Sequence, residues 1–462
     1  MIERTTAPEN DRGTLVVGLG KTGLSCVRHL RRLGRRVTVV DSRRSPPALD
    51  DVCREFPEVR VSVGGFPRQA FQGIGDIVVS PGVSLAEPAL QRALAARIPV
   101  CGDIELFARA VGATPVVAIT GSNGKSTVTT MVADMLRVDG RRVKVGGNLG
   151  EPALSLLGGE HAEVYVLELS SFQLETTDSL EPRVAALLNV SADHMDRYAD
   201  VEEYARCKAR IFAGSGTMVL NRDDARVAAM ARSGREVIFY TLGVPGRGEF
   251  GLWPGADGGC LSRGETRIVA ADKLKVVGLH NVANALAAMA VASRLGVPDD
   301  AMARALEDFR GLPHRCQLVA EAAGVRWFDD SKATNVGATV AAIDGLGGRL
   351  DGPPDKNRRL ILISGGDAKD ADFSALEEPL RRHVRLALLI GRDAGRIAAA
   401  VQGAVETVHA DGMADAVDIA HARAQPGDIV LLAPACASFD MYSSYEERGD
   451  AFAADVRRVL GA

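Results

Sequence analysis

No stretch of this 462-residue chain approaches the roughly 18 consecutive apolar residues that a membrane-spanning helix requires. Its opening residues, MIERTTAPENDRG, lack the apolar centre of a secretory leader. The seven cysteines (Cys26, Cys53, Cys101, Cys207, Cys260, Cys316 and Cys436) never fall at C-x-x-C spacing, and an odd number cannot all pair within one chain. A reducing cytoplasm is therefore the expected compartment. An excess of either charge is missing too: 55 Lys and Arg against 59 Asp and Glu leave a net charge of −4, which gives no reason to expect nucleic acid as a partner. The local run RHLRRLGRR, residues 28–36, reads as a solvated helix face and the turn after it. A soluble cytoplasmic protein with neither a membrane nor a nucleic-acid partner is expected.

What the chain does have is an ordinary globular composition, 46% apolar and 25% charged, and length enough for about three domains of roughly 100–200 residues each. Short Val/Ile/Leu runs recur between helix-length segments: TLVVG, RVTVV, DIVVS, PVVAIT, RVKVG, VYVLEL, VAALLNV, RLILISGG, LALLIG and DIVLLAP. Continuous apolar strands alternating with helices predict parallel sheets covered on both faces. The strand, Gly-rich loop, helix order restarts near Pro115 and near Arg326, with joints at AVGATP (110–115) and FRGLPHRC (309–316). The expected fold is α/β with three domains in series: a Rossmann-like unit over 1–112, a P-loop mononucleotide-binding unit over 113–312 and a second Rossmann-like unit over 313–462.

Two phosphate cradles compete to define the chemistry. The first, VVGLGKTGLS, matches G-x-G-x-x-G after a strand, with Asp41 closing the next strand about twenty residues on, as in dinucleotide enzymes. The second, TPVVAITGSNGKSTVTTMVADMLR (114–137), is a shortened P-loop, with Ile119 where the full pattern has glycine. Backbone N–H groups of such a turn and its helix N-terminus hold phosphate oxygens. Lys125 would reach the terminal phosphates, and the hydroxyl of Ser126 or Thr127 would ligate Mg²⁺. An oxidoreductase needs only the first cradle, so hydride transfer becomes the weaker reading. Two more strand ends carry ligand chemistry: Glu168 closes VYVLEL, and His194 follows VAALLNV between the carboxylates Asp193 and Asp196. Carboxyl ends of parallel strands converge on one crevice, which would bring these groups to the P-loop.

The ordered set GSNGKST, LELSSFQLE, LNVSADHMDRY, GLHNVANALAA, DDSKATN and APACASFDMYSSYEERG resembles the Mur ligases, from one end of the chain to the other. Within that family DDSKATN favours the glutamate-adding type. The resemblance implies ATP-dependent addition of D-glutamate to UDP-N-acetylmuramoyl-L-alanine through an acyl phosphate, in peptidoglycan precursor synthesis, by a monomer acting on small molecules. It implies ATP bound by Gly121, Ser122, Asn123, Gly124, Lys125, Ser126 and Thr127, with Asn281 and Asn284 at the adenine and Arg315, Asp330 and Lys332 near the phosphates. Two Mg²⁺ ions are implied, one with Ser126 and Glu168, the other with His194 and Lys208. An ammonium of ordinary pKa about 10.4 would repel a metal ion, and the resemblance implies that Lys208 is carbamylated. Lys125, Glu168, His194 and Lys208 would then be the catalytic groups.

In the first unit the resemblance changes the ligand of the cradle: UDP also has a diphosphate. Gly18, Leu19, Gly20, Lys21 and Thr22 would meet it, Asp41 and Ser42 would lie near the uracil, and Ser80, Gly82, Asn148, Ser170 and Gln173 would extend the substrate path. Thr334, Lys369, Ser438 and Tyr445 would hold glutamate, whose carboxylates need a cation and hydroxyl or N–H donors. A folylpolyglutamate synthase would not be expected to begin with a complete Rossmann-like unit. A nucleotide-binding regulator that has lost its chemistry is disfavoured by the joint presence of Lys125, Glu168, His194 and Lys208.

Overall fold

A computed structural model describes residues 13–255, 258–276, 278–347, 360–368 and 371–461. The chain builds three sheets in succession, each from its own stretch of sequence.

The first contains β1 (Gly13–Val17), β2 (Val37–Asp41), β3 (Arg60–Val63), β4 (Ile74–Val79) and β5 (Val100–Cys101). They lie in the order β3-β2-β1-β4-β5, all parallel. The order reverses beside β1, which opens a crevice at its carboxyl end, where the first glycine loop sits. The helix Lys21–Arg32 packs there at very short range: a Cβ on Gly23 would lie 2.0 Å from the Gly18 carbonyl oxygen. Only glycine permits that approach.

The second sheet contains β6 (Val116–Thr120), β7 (Val143–Gly147), β8 (Val164–Glu168), β9 (Val184–Leu187), β10 (Thr217–Asn221), β11 (Val237–Thr241), β12 (Phe250–Trp253), β13 (Cys260–Arg263) and β14 (Thr266–Ala270). Its order is β14-β13-β12-β11-β10-β9-β6-β8-β7. β6, β8 and β9 are buried along their whole length, and their carboxyl ends stand side by side. The helix Lys125–Val138 covers this part of the sheet and packs on Leu279–Ser293, a helix whose Ala285, Ala288 and Ala292 are fully buried. Expecting only parallel sheets missed an edge: β12 to β14 form an antiparallel extension. These strands are short and carry Gly, Ser and Arg, so no continuous apolar run marks them.

The third sheet contains β15 (Gln317–Ala322), β16 (Val325–Asp329), β17 (Leu360–Gly365), β18 (Val384–Ile390), β19 (Glu406–His409) and β20 (Ile429–Leu432), in the order β15-β16-β20-β17-β18-β19. It is parallel except for β15, which runs antiparallel to β16. The first and second units are riveted together. Glu105, buried in the helix Asp103–Ala110, accepts bonds from the Asp178 and Ser179 N–H groups (2.8 Å each) and the Ser179 hydroxyl (2.8 Å). Arg197 donates to the Pro81 carbonyl (3.0 Å) and pairs with Glu175 (2.6 Å). No helix among the described residues is long and apolar enough to cross a membrane.

Candidate active site

The P-loop lies between β6 and the helix Lys125–Val138, and its shape is set by side chains from neighbouring strand ends. Asn189, just beyond β9, accepts a bond from the Asn123 N–H (2.8 Å) and donates to the Asn123 carbonyl (3.1 Å). The Ser122 hydroxyl donates to the Ser191 carbonyl (3.1 Å) and accepts from the Ser191 N–H (3.0 Å). Lys125 folds back over the turn, its Nζ donating to the carbonyls of Gly121 and Ser122 (2.8 Å each). The Gly121 carbonyl also accepts from Lys208 Nζ (2.9 Å), so two lysines meet at one oxygen.

Lys208 is 1% exposed, on the helix Val201–Ala209, with its Nζ 4.4 Å from the ring centre of Tyr204. Burial first, and then the charge of Lys125, hold its amine well below the ordinary lysine value. Burial also lowers Lys125, against the pull of Glu168 and Asp193. Glu168 is 2% exposed at the end of β8; its Oε1 accepts from Asn148 Nδ2 (2.7 Å), while its Oε2 is buried with no hydrogen-bond partner. His194 adopts φ 58°, a turn that aims its ring edge-on at Phe172 (4.8 Å between centres).

From the third unit, Arg315 donates to the Ser126 hydroxyl (2.7 Å). Lys332 Nζ stands 3.8 Å from the ring centre of Tyr445. Burial, reinforced by Arg315 and Lys125, pulls Lys332 down to about 8. Burial pushes the neighbouring carboxyl, Asp330, up to about 7, although Arg315 draws it down.

These groups line two adjoining cavities. The first, of about 310 Å³, brings Ser122, Lys125, Ser126, Glu168, His194 and Lys208 together. Asn148, Ser170, Arg315, Lys332, Thr334, Ser438 and Tyr445 also line it, as do Asn123, Asp193 and Asn335. The second, of about 330 Å³, lies on the other side of Asn123 and Gly124 and gathers Thr127, Asn281, Asn284, Arg315, Asp330 and Lys332. The Asn284 Oδ1 lies 2.4 Å from where a side chain on Gly124 would begin.

Other expected residues lie apart. Gly18, Leu19, Gly20, Lys21, Thr22, Ser42, Ser80 and Gly82 stay on the first unit and line neither cavity. Asp41 is 2% exposed and braces the loop, accepting from the Leu19 N–H (2.7 Å) and from Arg43. Burial opposes its charge, but those bonds outweigh it and hold the carboxyl below its usual range. Gln173 is also buried, its amide donating to Asp103 (3.0 Å) and accepting from the Ser170 N–H (3.2 Å), so it sits off the cavity. Lys369 falls outside the described residues. Sequence reasoning missed Asn189, Tyr204 and Asn335 as site-shaping residues. Asn189 had a usable signal, since it follows a buried strand just as the P-loop follows β6.

Three family models match in sequence order: the Mur ligase MurD-like N-terminal domain over 12–102, the Mur ligase middle domain over 119–292 and the Mur ligase glutamate ligase domain over 314–436. A UDP-N-acetylmuramoylalanine--D-glutamate ligase from Nitrosococcus oceani is 49% identical over 460 residues, covering 100% of both chains. The chain belongs to the Mur ligase family. A second relative of the same name, from Pseudomonas putida, is 49% identical over 96% of this Mur ligase and 97% of its own length. The fold of a MurF ligase from Thermotoga maritima, solved in complex with ADP, matches with TM-score 0.64 at 17% identity over 99% of each chain.

The environment of Asp330 sets a pH dependence. Its native value of about 7 lies above the unfolded value of about 3.9, so the native state holds the extra proton between them. The stability this contributes is full below about pH 4 and is lost as pH rises through about 7. Relative to Asp330→Asn, the wild-type chain should therefore lose thermal stability between pH 5 and 8; parallel melting profiles for the two would contradict this.

Proposed function

We propose that this Mur ligase joins D-glutamate to UDP-N-acetylmuramoyl-L-alanine, consuming ATP and releasing ADP and phosphate. The observation that carries the reading is electrostatic. Lys125, Lys208, Lys332 and Arg315 converge on one cavity whose buried carboxylate, Glu168, has an orphaned oxygen. A polyanion bound with a divalent cation satisfies both, and a nucleoside triphosphate with Mg²⁺ is that combination. The names of the full-length relatives support the acceptor and the amino acid.

Each residue then has a task. Lys125 and Arg315 would hold the terminal phosphate, Arg315 exchanging the Ser126 hydroxyl for a charge-assisted pair. Asn281 and Asn284 would meet the adenine in the second cavity, with Asp330 and Lys332 toward the phosphates. A substrate carboxylate oxygen attacks the γ-phosphorus and ADP leaves. The amine of glutamate, held by Thr334, Lys369, Ser438 and Tyr445, attacks the acyl carbon and phosphate departs. The first unit would grip UDP through the 18–22 loop, Asp41, Ser42, Ser80 and Gly82, with Asn148, Ser170 and Gln173 toward the sugar. The units would divide at 1–112, 113–312 and 313–462.

The residues fit a divalent ion sparingly. Among the described residues no three His, Cys, Asp or Glu side chains cluster as a ready-made metal site. Glu168 and Ser126 would supply two oxygens and the nucleotide others, which suits Mg²⁺. The ion would neutralise charge building on the phosphate oxygens. A second ion with His194 requires Lys208 to be anionic. Its depressed pKa favours the neutral amine, the form that adds CO₂ to give a carbamate. Cys26, Cys53, Cys101, Cys207, Cys260 and Cys436 are free thiols, which suits the cytoplasm, where the chain would act as a monomer without membrane or nucleic acid.

Phosphate release with ATP, Mg²⁺ and the UDP-sugar should require D-glutamate; a preference for another amino acid would refute the acceptor pairing while leaving the ligase intact. Lys208→Ala should lose about a hundredfold or more in rate and regain part of it with a short-chain carboxylate. Full activity without that addition would rule out the carbamate.

A further inference from the structure

Asn335 sits at the start of the helix Val336–Gly347 in the third unit and reaches the nucleotide loop of the second. Its side-chain amide pairs reciprocally with that of Asn123: Asn335 Nδ2 donates to Asn123 Oδ1 (3.2 Å), and Asn123 Nδ2 donates to Asn335 Oδ1 (3.4 Å). Asn335 Nδ2 also donates to Asp193 Oδ2 (3.1 Å), and the other oxygen of Asp193 accepts from the His194 N–H (3.0 Å). The backbone of Asn123 is pinned on both sides by Asn189, so its side chain is presented outward from a fixed loop. The approach is close: a Cβ on Gly337 would lie 3.0 Å from Ser191 Oγ and 3.6 Å from Asn123 Nδ2.

We propose that Asn335 is a positioning residue for ligation, a latch that docks the third unit on the tip of the P-loop and registers the His194 loop in the same movement. This rests on reading the second unit as the ATP site and the third as the amino-acid site. An amide suits the role because it donates and accepts at once, which lets it pair with Asn123 and with the Asp193 carboxylate. The amide–amide bonds gain little over bonds to water and the single bond to the Asp193 carboxylate somewhat more, so the latch is weak enough to close when ligands favour closure and to open for product release. Asn335 lines the edge of the first cavity, and the role proposed for it is exerted through its bonds to Asn123 and Asp193.

Asn335 has a structural duty as well, since its Oδ1 accepts the Ala338 N–H (2.8 Å) and caps the helix. Asn335→Ser keeps a capping oxygen but cannot span to Asn123 or Asp193. Asn335→Asp keeps the cap and the size but sets a carboxylate against Asp193. In the full-length chain both variants should melt within about 2 °C of wild type, and any loss of nucleotide affinity should be smaller than the loss of turnover. Turnover should fall about tenfold to a hundredfold in Asn335→Ser and further in Asn335→Asp, with small-angle scattering showing less compaction on adding AMP-PNP and the UDP-sugar. A cap alone would leave the two variants equal. Turnover and compaction unchanged in Asn335→Ser, or Asn335→Asp outperforming it, would overturn the latch. A wild-type chain inert toward D-glutamate would refute the activity instead, and the compaction comparison would still decide the latch.

Discussion

Two lysine ammonium groups share one carbonyl oxygen, that of Gly121, and much of the site follows from that crowding. Like charges held against one acceptor repel, and burial adds to the pressure on both amines. The tension can be relieved by loss of a proton or by arrival of an anion. Lys208, deeper and drier, is the one whose amine is pushed toward neutrality. Lys125, less buried at the mouth of the loop, is the one proposed to meet phosphate. Their different burial gives two residues of one type two different chemistries.

The fold produces this crowding by topology. β9, β6 and β8 are adjacent and parallel, so the P-loop, Glu168 and the segment from Asn189 to His194 emerge at the same edge. The helix Val201–Ala209 then returns Lys208 underneath, with Tyr204 one turn earlier on the same face. The third unit closes the space from above with Arg315, Lys332 and Asn335. Bonds around Glu105 and Arg197 tie the first unit to the second, which brings the 80–83 turn of the first unit to the His194 loop.

The ten apolar runs read as strands correspond to β1, β2, β4, β6, β7, β8, β9, β17, β18 and β20; the runs are mostly buried except at β7, a half-buried edge strand, and strands covered on both faces carry continuous hydrophobic sequence. Strands at or near the sheet edges, such as β3, β14, β15 and β19, mix exposed and polar residues and left no such trace. The convergence of Lys125, Glu168 and His194 was legible, since parallel strand ends face one crevice. What local sequence could not reveal was engagement: Asp41 and Gln173 look like free polar groups in their motifs, yet partners distant in sequence occupy both. The pairing of Asn123 with Asn335, 212 residues apart, was hidden for the same reason.

The central claim is that the cationic cavity activates a carboxylate by phosphorylation, rather than hydrolysing ATP to drive a motion. Labelling the alanyl carboxylate of the UDP-sugar with ¹⁸O tests it directly. Attack of that carboxylate on the γ-phosphorus, followed by displacement at the acyl carbon, must transfer one labelled oxygen to each phosphate released with the amide. Mass spectrometry of the phosphate should find that single label when D-glutamate is joined. Phosphate free of label, formed alongside the amide product, would contradict the account.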